Sequence, residues 1–436
     1  MTLSGKHIAI LGAGRSGRAA ASLALREGAT VSMWDAAGPE AFVDIPAGVA
    51  IHPCATEQQG GELVSDLLLV SPGIDTFGSY VASFARHAGE VIGEVEFAAR
   101  FYQGKIIGIT GTNGKTTTTE LVARILAHAG LGGTPCGNYG TPFAEVVLQR
   151  NPPAAVSLEL SSFQLETIRT LHPVVTIWLN FAPDHMDRYP TVESYRAAKL
   201  RIFQNQSAVD TAVIRSGENL PPLAAKVVTF STADPAADWF SNGHSIVHKG
   251  ETWLDMDHDT GLRGLHNAEN AMAALAACEA MGVTAFTMRE ALHGYAPPPH
   301  RCELIRTLDG VEYLNDSKAT NLHALESALR SQCRPVVLIA GGKEKGLDYA
   351  PLLPLLREKA LSCVTFGQIA RPLATLFSQA VPTESVATLA DAVATARSLA
   401  PRGSTVILSP GTSSFDQFSG YEQRGNAFRD LVHQLR

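Results

Sequence analysis

The stretch Gly108-Ile-Thr-Gly-Thr-Asn-Gly-Lys115-Thr116 decides how the middle of this chain folds. It joins an apolar run, Lys105–Thr110, which predicts a buried strand, to residues 116–129, which predict a helix. Its inner glycines let the backbone curl so that successive N–H groups point at one anion, and the following helix presents the positive end of its dipole. The stretch therefore predicts a loop that binds nucleotide phosphates, with its lysine near the outer phosphates.

The pattern alone supports phosphate binding and no more. Ile109 stands where the strict motif has glycine, so Gly111 has to act as the turning residue. The alternative is a glycine turn before a helix, with a lysine that binds nothing. Thr116 offers a hydroxyl that can hold Mg²⁺ beside the phosphates.

Length and composition indicate a globular protein of several domains. The chain has 436 residues, and at roughly 150 residues per domain this suggests about three. Hydrophobic residues make up 45% and charged residues 18%, which disfavours extended disorder. The formal net charge of −7 disfavours nucleic acid as a partner, since such binders are more often basic.

The cysteines and the apolar runs bear on the compartment. None of the six cysteines lies in a C-x-x-C pair, which favours buried thiols in a reducing compartment over disulfides or zinc. No apolar run reaches about 18 residues, so we expect no membrane span. A strand pattern begins within a few residues of Met1, which leaves no room for a signal peptide. We therefore expect a cytoplasmic protein.

The first block, residues 1–95, opens with a β-α-β pattern. The strand His7–Leu11 precedes Gly12-Ala-Gly14-Arg-Ser-Gly17, and a second strand, Thr30–Trp34, ends at Asp35. Such a turn binds a diphosphate, and NAD and UDP are equivalent ligands at this level. A later strand, Leu67–Val70, runs into Ser71-Pro72-Gly73-Ile74, where Pro-Gly forces a turn.

The second and third blocks, residues 96–297 and 298–436, again alternate strands and helices, so all three blocks are predicted to be α/β. A stiff linker, Ala296-Pro-Pro-Pro299, separates them. Residues 209–254 look irregular or β-rich. Further strands are predicted at 156–160, 174–179, 311–314, 336–340, 363–366 and 406–409, and an alanine-rich helix at 267–281.

Polar residues in the second block gather near the ends of its strands. Glu159, beyond a strand beside the phosphate loop, is placed to bind Mg²⁺, or else is a surface glutamate. Asp184-His185-Met-Asp187-Arg188 suggests a metal or phosphate role, or a hydrogen-bonded loop. Lys199, from its sequence alone, is a solvated helix lysine. Asn267 and Asn270 either cap a helix or bind a base.

Three polar loops follow strands in the third block, and together they suggest a binding face. They are Asn315-Asp316-Ser317-Lys318-Ala-Thr320-Asn321, Gly341-Gly342-Lys343-Glu-Lys345-Gly346 and Ser409-Pro-Gly411-Thr-Ser413-Ser414-Phe415. Any one of them alone could be a plain turn.

Several stretches match the motifs of one family. They are Gly111-Thr-Asn-Gly-Lys-Thr-Thr117, Glu159-Leu-Ser-Ser-Phe-Gln-Leu-Glu166, Asp184-His-Met-Asp-Arg-Tyr189, Tyr195-Arg-Ala-Ala-Lys199, His266-Asn267, His300-Arg301 and Asn315-Asp-Ser-Lys-Ala-Thr-Asn321. Together they resemble the Mur ligases of peptidoglycan synthesis, and the match extends over almost the whole chain. The stretches that begin at Glu159 and Asp184 are most similar to the members that add D-glutamate.

The resemblance implies a fold and a reaction. The fold is α/β with three domains: a Rossmann-like N-terminal domain for the UDP-sugar (1–95), a central P-loop ATPase domain with a mainly parallel sheet (96–297), and a Rossmann-like C-terminal domain for the amino acid (298–436). The reaction joins D-glutamate to UDP-N-acetylmuramoyl-L-alanine and converts ATP to ADP and phosphate. ATP first turns the unreactive carboxylate into an acyl phosphate, which the amine attacks. We expect a monomer.

The same resemblance implies roles for individual residues. The implied ATP contacts are Gly111, Thr112, Asn113, Gly114, Lys115, Thr116, Thr117, Asn267, Asn270, Arg301 and Asp316. The implied UDP-sugar contacts are Arg15, Ser16, Asp35, Ser71, Pro72, Gly73, Asn138 and Ser161. The implied D-glutamate contacts are His185, Thr320, Lys345, Ser414, Phe415 and Tyr421.

Catalysis is implied for Lys115, Glu159, His185 and Lys199, with two Mg²⁺ ions. Thr116 and Glu159 would hold one ion, and Glu159 with His185 would hold the second. Lys199 matches a family lysine that CO₂ carbamylates. The carbamate is an anion that can support the second metal, which replaces the solvated-lysine interpretation.

Four positions depart from the family pattern. Gly411-Thr412 stands where many relatives have Ala-Cys, and Tyr421 where phenylalanine is frequent. Ala37 stands near the uracil pocket in place of a basic residue. These departures concern the substrate pockets and leave the phosphoryl chemistry untouched.

Three other functions compete with this prediction. A Mur-type ligase could add another amino acid or a dipeptide, or could extend folate with glutamate. An NAD-dependent oxidoreductase could use the first block, but it leaves the phosphate loop unexplained. A non-catalytic relative would bind ATP without turnover, and Lys115, Glu159, His185 and Lys199 argue against it.

Overall fold

A computed structural model describes residues 2–436 except Asp187, Arg263, 296–298 and Cys333. The linker predicted at 296–299 therefore lies largely outside the described residues. The described chain forms two compact units, one of residues 1–260 and 267–295 and the other of residues 261–266 and 296–436. No described helix combines the length and apolarity needed to cross a bilayer.

The first sheet is formed by five parallel strands in the order β3-β2-β1-β4-β5. This is the order of a dinucleotide-binding half, whose ligand site lies where the strand order reverses, between β1 and β4. Its elements are β1 His7–Leu11, α1 Arg15–Arg26, β2 Thr30–Trp34, β3 Val49–His52, α2 Glu57–Glu62, β4 Leu67–Val70, α3 Ser79–Ala85, β5 Val91–Gly93 and α4 Glu94–Ala99.

The second sheet has nine strands among the described residues, in the order β14-β13-β12-β11-β10-β9-β6-β8-β7, and is antiparallel only from β12 to β14. Its elements are β6 Lys105–Thr110, α5 Lys115–His128, β7 Gly132–Gly137, α6 Phe143–Leu148, β8 Ala155–Glu159, α7 Ser162–Leu165, β9 Val175–Trp178, α8 Val192–Leu200, β10 Thr211–Arg215, β11 Lys226–Ser231, β12 Trp239–Ser241, β13 Ser245–His248, β14 Glu251–Asp255, α9 Met256–Asp259, α10 Leu265–Ala280 and α11 Ala285–Leu292. Because β6 lies between β8 and β9, the loops after these three strands meet at one edge.

The third sheet has six strands among the described residues, in the order β15-β16-β20-β17-β18-β19, and only β15 is antiparallel. Its elements are β15 Glu303–Leu308, β16 Val311–Asn315, α12 Leu322–Arg330, β17 Val336–Gly341, α13 Leu353–Lys359, β18 Ala360–Phe366, α14 Ala370–Phe377, β19 Thr383–Ser385, α15 Leu389–Leu399, β20 Thr405–Leu408 and α16 Tyr421–Gln434. The three polar loops predicted to form a binding face follow β16, β20 and β17, which are neighbours.

Helices cover these sheets because the parallel strands are apolar on both faces. In the third sheet, one cluster packs Leu338 and Ile407 against Leu355 and Phe377, and another packs Ile339 and Leu408 on the opposite face. The predicted α/β class is thereby confirmed. One expectation was wrong: Cys54 is exposed, because it lies in a turn with a left-handed backbone (φ 52°) and not in a strand.

Candidate active site

The phosphate loop connects β6 to α5 and is shaped by close packing. Gly114 has φ 84°, and a Cβ there would lie 2.2 Å from Asn270 Oδ1. Asn270, on α10, therefore packs directly on the loop, and its Oδ1 also accepts a hydrogen bond from Thr118 Oγ1 at 3.3 Å. Glycine at 114 leaves the start of α5 without a side-chain cap, so the first N–H groups of the helix can bind an anion.

Asn180, which follows β9, fixes the outer part of the loop. Its Oδ1 accepts from the Asn113 amide at 2.9 Å, and its Nδ2 donates to the Asn113 carbonyl at 3.1 Å. The Thr112 amide donates to the Asn180 carbonyl at 3.0 Å. Asn180 was not among the predicted site residues. A polar residue directly after a strand that neighbours the phosphate-loop strand is the signal that could have found it.

Glu159, the last residue of β8, is buried and only half satisfied. Its Oε1 accepts from Asn138 Nδ2 at 2.7 Å, whereas its Oε2 has no hydrogen-bond partner among the described residues. Only 2% of Glu159 is exposed, so the surface-glutamate interpretation is wrong. A buried, unpartnered carboxylate oxygen costs about 1–3 kcal/mol or more, and a cation there would remove that cost.

Lys115 and Lys199 converge on one carbonyl oxygen. Each donates from Nζ to the Gly111 carbonyl at 2.9 Å, and Lys115 also donates to the Thr112 carbonyl at 2.9 Å. Lys199 is 1% exposed, which excludes the solvated-lysine interpretation. Burial, and then the positive charge of Lys115, hold the pKa of Lys199 well below its usual range. A lysine with a lowered pKa supplies the neutral amine that carbamylation requires.

His185 lies in a turn after β9 and has a strained backbone. Its φ of 57° is left-handed, which is uncommon for a residue with a side chain. The amides of Arg188 and Tyr189 close the turn by donating to the His185 carbonyl at 3.0 Å. The imidazole contacts Phe163 and Tyr195 edge-on, at centroid distances of 4.9 and 6.0 Å. Asp187 of this motif lies outside the described residues.

The described residues contain no group of three or more His, Cys, Asp or Glu side chains that could hold a metal. This agrees with the way Mg²⁺ is usually held, by one or two carboxylates together with phosphate oxygens and water. The buried Thr116 hydroxyl and Glu159 fit such a mixed site.

In the first sheet, the two predicted loops meet between β1 and β4. A Cβ on Gly12 would lie 2.6 Å from Ser71 Oγ, so only glycine lets the loops approach this closely. The Asp35 carboxylate accepts from the amides of Ala13 and Ala37, both at 2.9 Å. Asp35 therefore fixes the glycine turn, while Arg15 beside it is exposed. Ser161, in the central part, caps α7 by accepting from the Gln164 amide.

In the third sheet, Asp316 connects the loops after β16 and β20. Its carboxylate accepts from Ser409 Oγ at 2.8 Å and from the Cys302 amide at 3.2 Å, and burial raises its pKa to about 7. Nearby, Lys318 Nζ donates to the Tyr421 hydroxyl at 2.8 Å. Lys345 Nζ donates to the Thr320 carbonyl at 3.3 Å.

One residue of this unit was missed from the sequence. Arg424 is fully buried on α16 and received no role. Its guanidinium donates to Ser317 Oγ and O at 3.0 and 2.8 Å, and twice to the Thr412 carbonyl at 3.2 Å. Gly411 has φ 70°, a left-handed backbone that glycine adopts more readily than the alanine implied by the family resemblance.

The predicted residues thus form separate groups. The central group contains Lys115, Thr116, Glu159, Lys199, Asn138, Asn267 and Asn270, all in the first compact unit. Asp316, Thr320, Lys345, Ser414 and Tyr421 belong to the second unit, where Ser414 is buried and Phe415 is exposed.

The chain is similar to known proteins both in its family pattern and over its whole sequence. A model described as the Mur ligase middle domain matches residues 109–278, and one described as the Mur ligase glutamate ligase domain matches residues 300–411. A UDP-N-acetylmuramoylalanine--D-glutamate ligase of Myxococcus xanthus is 42% identical, with 100% of both chains covered. The enzyme of the same name from Acidobacterium capsulatum is 38% identical, covering 99% of this chain and 97% of its own.

Solved structures add a likeness of fold. The MurF ligase of Thermotoga maritima in complex with ADP has a TM-score of 0.61 at 17% identity, covering 98% of this chain and 95% of its own. The UDP-N-acetylmuramate-alanine ligase MurC of Thermotoga maritima has a TM-score of 0.60 at 19% identity, covering 98% and 99%. At such identities the likeness concerns the fold alone.

Proposed function

The chain belongs to the Mur ligase family, and we propose that it joins D-glutamate to UDP-N-acetylmuramoyl-L-alanine while converting ATP to ADP and phosphate. The observation that carries the proposal is the pair of lysines on the Gly111 carbonyl, beside the half-satisfied Glu159. Relatives named for this reaction share up to 42% identity over the whole chain, which supports the choice of substrates.

The phosphate loop has the groups that phosphoryl transfer needs. Backbone N–H groups at the start of α5 would bind the phosphates, and Lys115 would neutralise charge on the transferred group. Asn180 binds both the backbone N–H and the carbonyl of Asn113, which keeps the loop in shape without a ligand. Asn270 contacts the loop, and we propose that Asn267, Asn270, Arg301 and Asp316 bind the rest of the nucleotide.

Glu159 and Thr116 are the residues that fit Mg²⁺ best. The free Oε2 of Glu159 would bind one ion, while Asn138 holds the other carboxylate oxygen in place. Bound Mg²⁺ would neutralise the charge on the phosphates and the reacting carboxylate. His185 and a carbamate on Lys199 would support a second ion.

Carbamylation would give the Lys199 side chain a negative charge. The uncharged amine attacks CO₂, forms a C–N bond and loses a proton, so a neutral buried amine becomes an anion. Lys115 lies close enough to lower the pKa of Lys199 now and would stabilise that anion afterwards.

Loops of the first and third sheets would bind the two other substrates. We propose that the loops at β1 and β4 bind UDP through Arg15, Ser16 and Ser71-Pro72-Gly73, since they meet at the switch point of the sheet. Thr320, Lys345, Ser414, Phe415 and Tyr421 would bind D-glutamate. We propose the corresponding domain boundaries at 95 and 297. A monomer suffices, because one chain carries every loop used, and these substrates are cytoplasmic metabolites.

A phosphate-release assay tests the proposal. Phosphate should appear with ATP, Mg²⁺, UDP-N-acetylmuramoyl-L-alanine and D-glutamate together, and much more slowly with L-glutamate or when one substrate is omitted. Turnover with another amino acid but none with D-glutamate would refute the assignment of substrate. Tight NADH binding that UDP does not compete would instead favour an oxidoreductase.

A further inference from the structure

Arg188 lies at the centre of a buried cluster, and the roles proposed above do not include Arg188 itself. The cluster consists of Pro72 and Thr76 from the loop after β4, Phe163 and Glu166 from α7 and its end, and Arg188 and Tyr189 from the turn that carries His185. The side chains of Arg188 and Glu166 are 11% and 2% exposed. Three loops of the first compact unit therefore meet at the ion pair between Arg188 and Glu166.

The contacts of Arg188 use both terminal nitrogens. Nη1 donates to the Pro72 carbonyl at 2.9 Å, and Nη2 donates to Thr76 Oγ1 at 3.0 Å and to Glu166 Oε2 at 2.8 Å. The guanidinium carbon lies 4.0 Å from the centroid of the Phe163 ring. A planar fork that binds three groups and stacks on a ring cannot be reproduced by lysine.

Glu166 completes the connection. Its Oε2 also accepts from Thr76 Oγ1 at 2.8 Å, and its Oε1 accepts from the Tyr189 hydroxyl. Glu166 follows α7, which begins shortly after Glu159. The turn from His185 to Tyr189 is thus anchored at its far end, and this anchor helps to keep His185 in its left-handed conformation.

We infer that Arg188 is a positioning residue, which fixes the UDP-sugar loop Ser71–Thr76 and the His185 turn in one geometry through Glu166 and Thr76. This inference rests on the proposed function. The acceptor carboxylate belongs to the UDP-sugar, so its place relative to His185 depends on this cluster. A reacting group displaced by about 1 Å can lose roughly 100-fold in rate.

Arg188→Lys tests the inference, because it keeps the charge and removes the fork. We expect kcat to fall at least about tenfold and KM for the UDP-sugar to rise several-fold, with KM for ATP unchanged. Thr76→Val, in a loop without catalytic groups, should move the same two constants in the same direction by less. Combined with Arg188→Lys, Thr76→Val should add little, because both changes remove the same contact between Arg188 and Thr76.

The matched control is Arg215→Lys, which alters another Arg–Glu pair of the same unit, with Glu269 at 2.9 Å. It should leave the constants unchanged. If Arg188→Lys does not fold, Tyr189→Phe replaces it as the test variant, because it removes only the hydroxyl that donates to Glu166. A merely structural cluster would lower the melting temperature and leave kcat and KM alone, and that result overturns the inference.

The two proposals fail in different ways. Wild-type turnover with unaltered constants in the variants would overturn the positioning role and leave the proposed function standing. Absence of wild-type turnover with D-glutamate would refute the proposed function. Titration with UDP alone then decides the positioning role: affinity about tenfold weaker in Arg188→Lys supports it, and equal affinities overturn it.

Discussion

Lys199 and Arg424 are two fully buried basic side chains that donate to loops following parallel strands, and they are held in opposite ways. Lys199 makes one hydrogen bond within the described part of the chain, to the Gly111 carbonyl, and lies near the cation of Lys115. Arg424 makes four hydrogen bonds, to Ser317 and Thr412. Burial lowers the pKa of Arg424 only to about 10, so it stays charged at neutral pH.

The difference distinguishes a reactive group from a structural one. A buried amine with a lowered pKa and one acceptor is free to react, and beside it the Oε2 of Glu159 has no hydrogen-bond partner in the described part of the chain. A guanidinium that donates four hydrogen bonds to three neutral acceptor atoms cannot react, but it can hold two loops together. The same opposition should appear in measurements: changes near Lys199 should alter turnover more than stability, and changes at Arg424 should alter stability first.

The largest effect is expected for Lys115→Ala. Removing this charge from the phosphate loop should lower kcat by about 10³-fold, because the Lys115 side chain would neutralise charge on the transferred phosphoryl group. Steady-state phosphate release measures it, and circular dichroism checks the fold. The control is Lys105→Ala, which removes an exposed lysine at the start of β6, the strand that precedes the phosphate loop. Wild-type turnover without Lys115 would refute the phosphate-loop assignment.

Lys199→Ala should follow, with a loss of roughly 10²-fold or more if a carbamate supports the second metal. Acetate or propionate should restore part of the activity, since a small carboxylate can occupy the position of the carbamate. The same acids should not rescue Lys115→Ala, which lacks a cation. Full activity of Lys199→Ala would show that the carbamate assignment is wrong.

The sequence predicted the fold better than it predicted the burial of polar side chains. The apolar runs predicted the strands His7–Leu11 and Lys105–Thr110 with the same first and last residues as in the structure, because strands buried on both faces have few polar positions. The stretch 209–254 was predicted only as irregular or β-rich, since β12 and β13 have just three and four residues, too few to show a clear alternation. Periodicity cannot show what a side chain contacts, which is why Lys199 was first taken for a solvated lysine.

The resemblance named the central residues but no positioning residues. Arg424 could have been recognised from spacing, because it shares one helical face with Phe428 and Val432, which are buried. Asn180 and Glu166 had weaker signals, since their partners come from loops distant in sequence. Such partners follow from the order of strands in a sheet, which local sequence patterns do not determine.

Arg424→Met should destabilise the second compact unit by about 3 kcal/mol, because the carbonyls and the hydroxyl that Arg424 binds lose their donor inside the protein. Urea unfolding followed by fluorescence measures the change. Arg429→Met is the control on the same helix. It breaks a half-exposed pair with Glu303 and should cost less than about 1 kcal/mol. Equal costs for the two variants would contradict the structural role of Arg424.

Gly411→Ala should show the smallest effect, and it restores the residue that many relatives have here. The left-handed backbone costs about 1–2 kcal/mol with alanine, and the new Cβ would lie 2.9 Å from Leu325 Cδ2. Gly403→Ala has a similar φ, 88°, with nothing within 4 Å, so it isolates the backbone cost. Gly411→Ala should therefore lower the melting temperature further than Gly403→Ala does. If the two variants melt alike, Leu325 gives way to the methyl group, and the loop beside Thr412 is less rigid than four hydrogen bonds from Arg424 would make it.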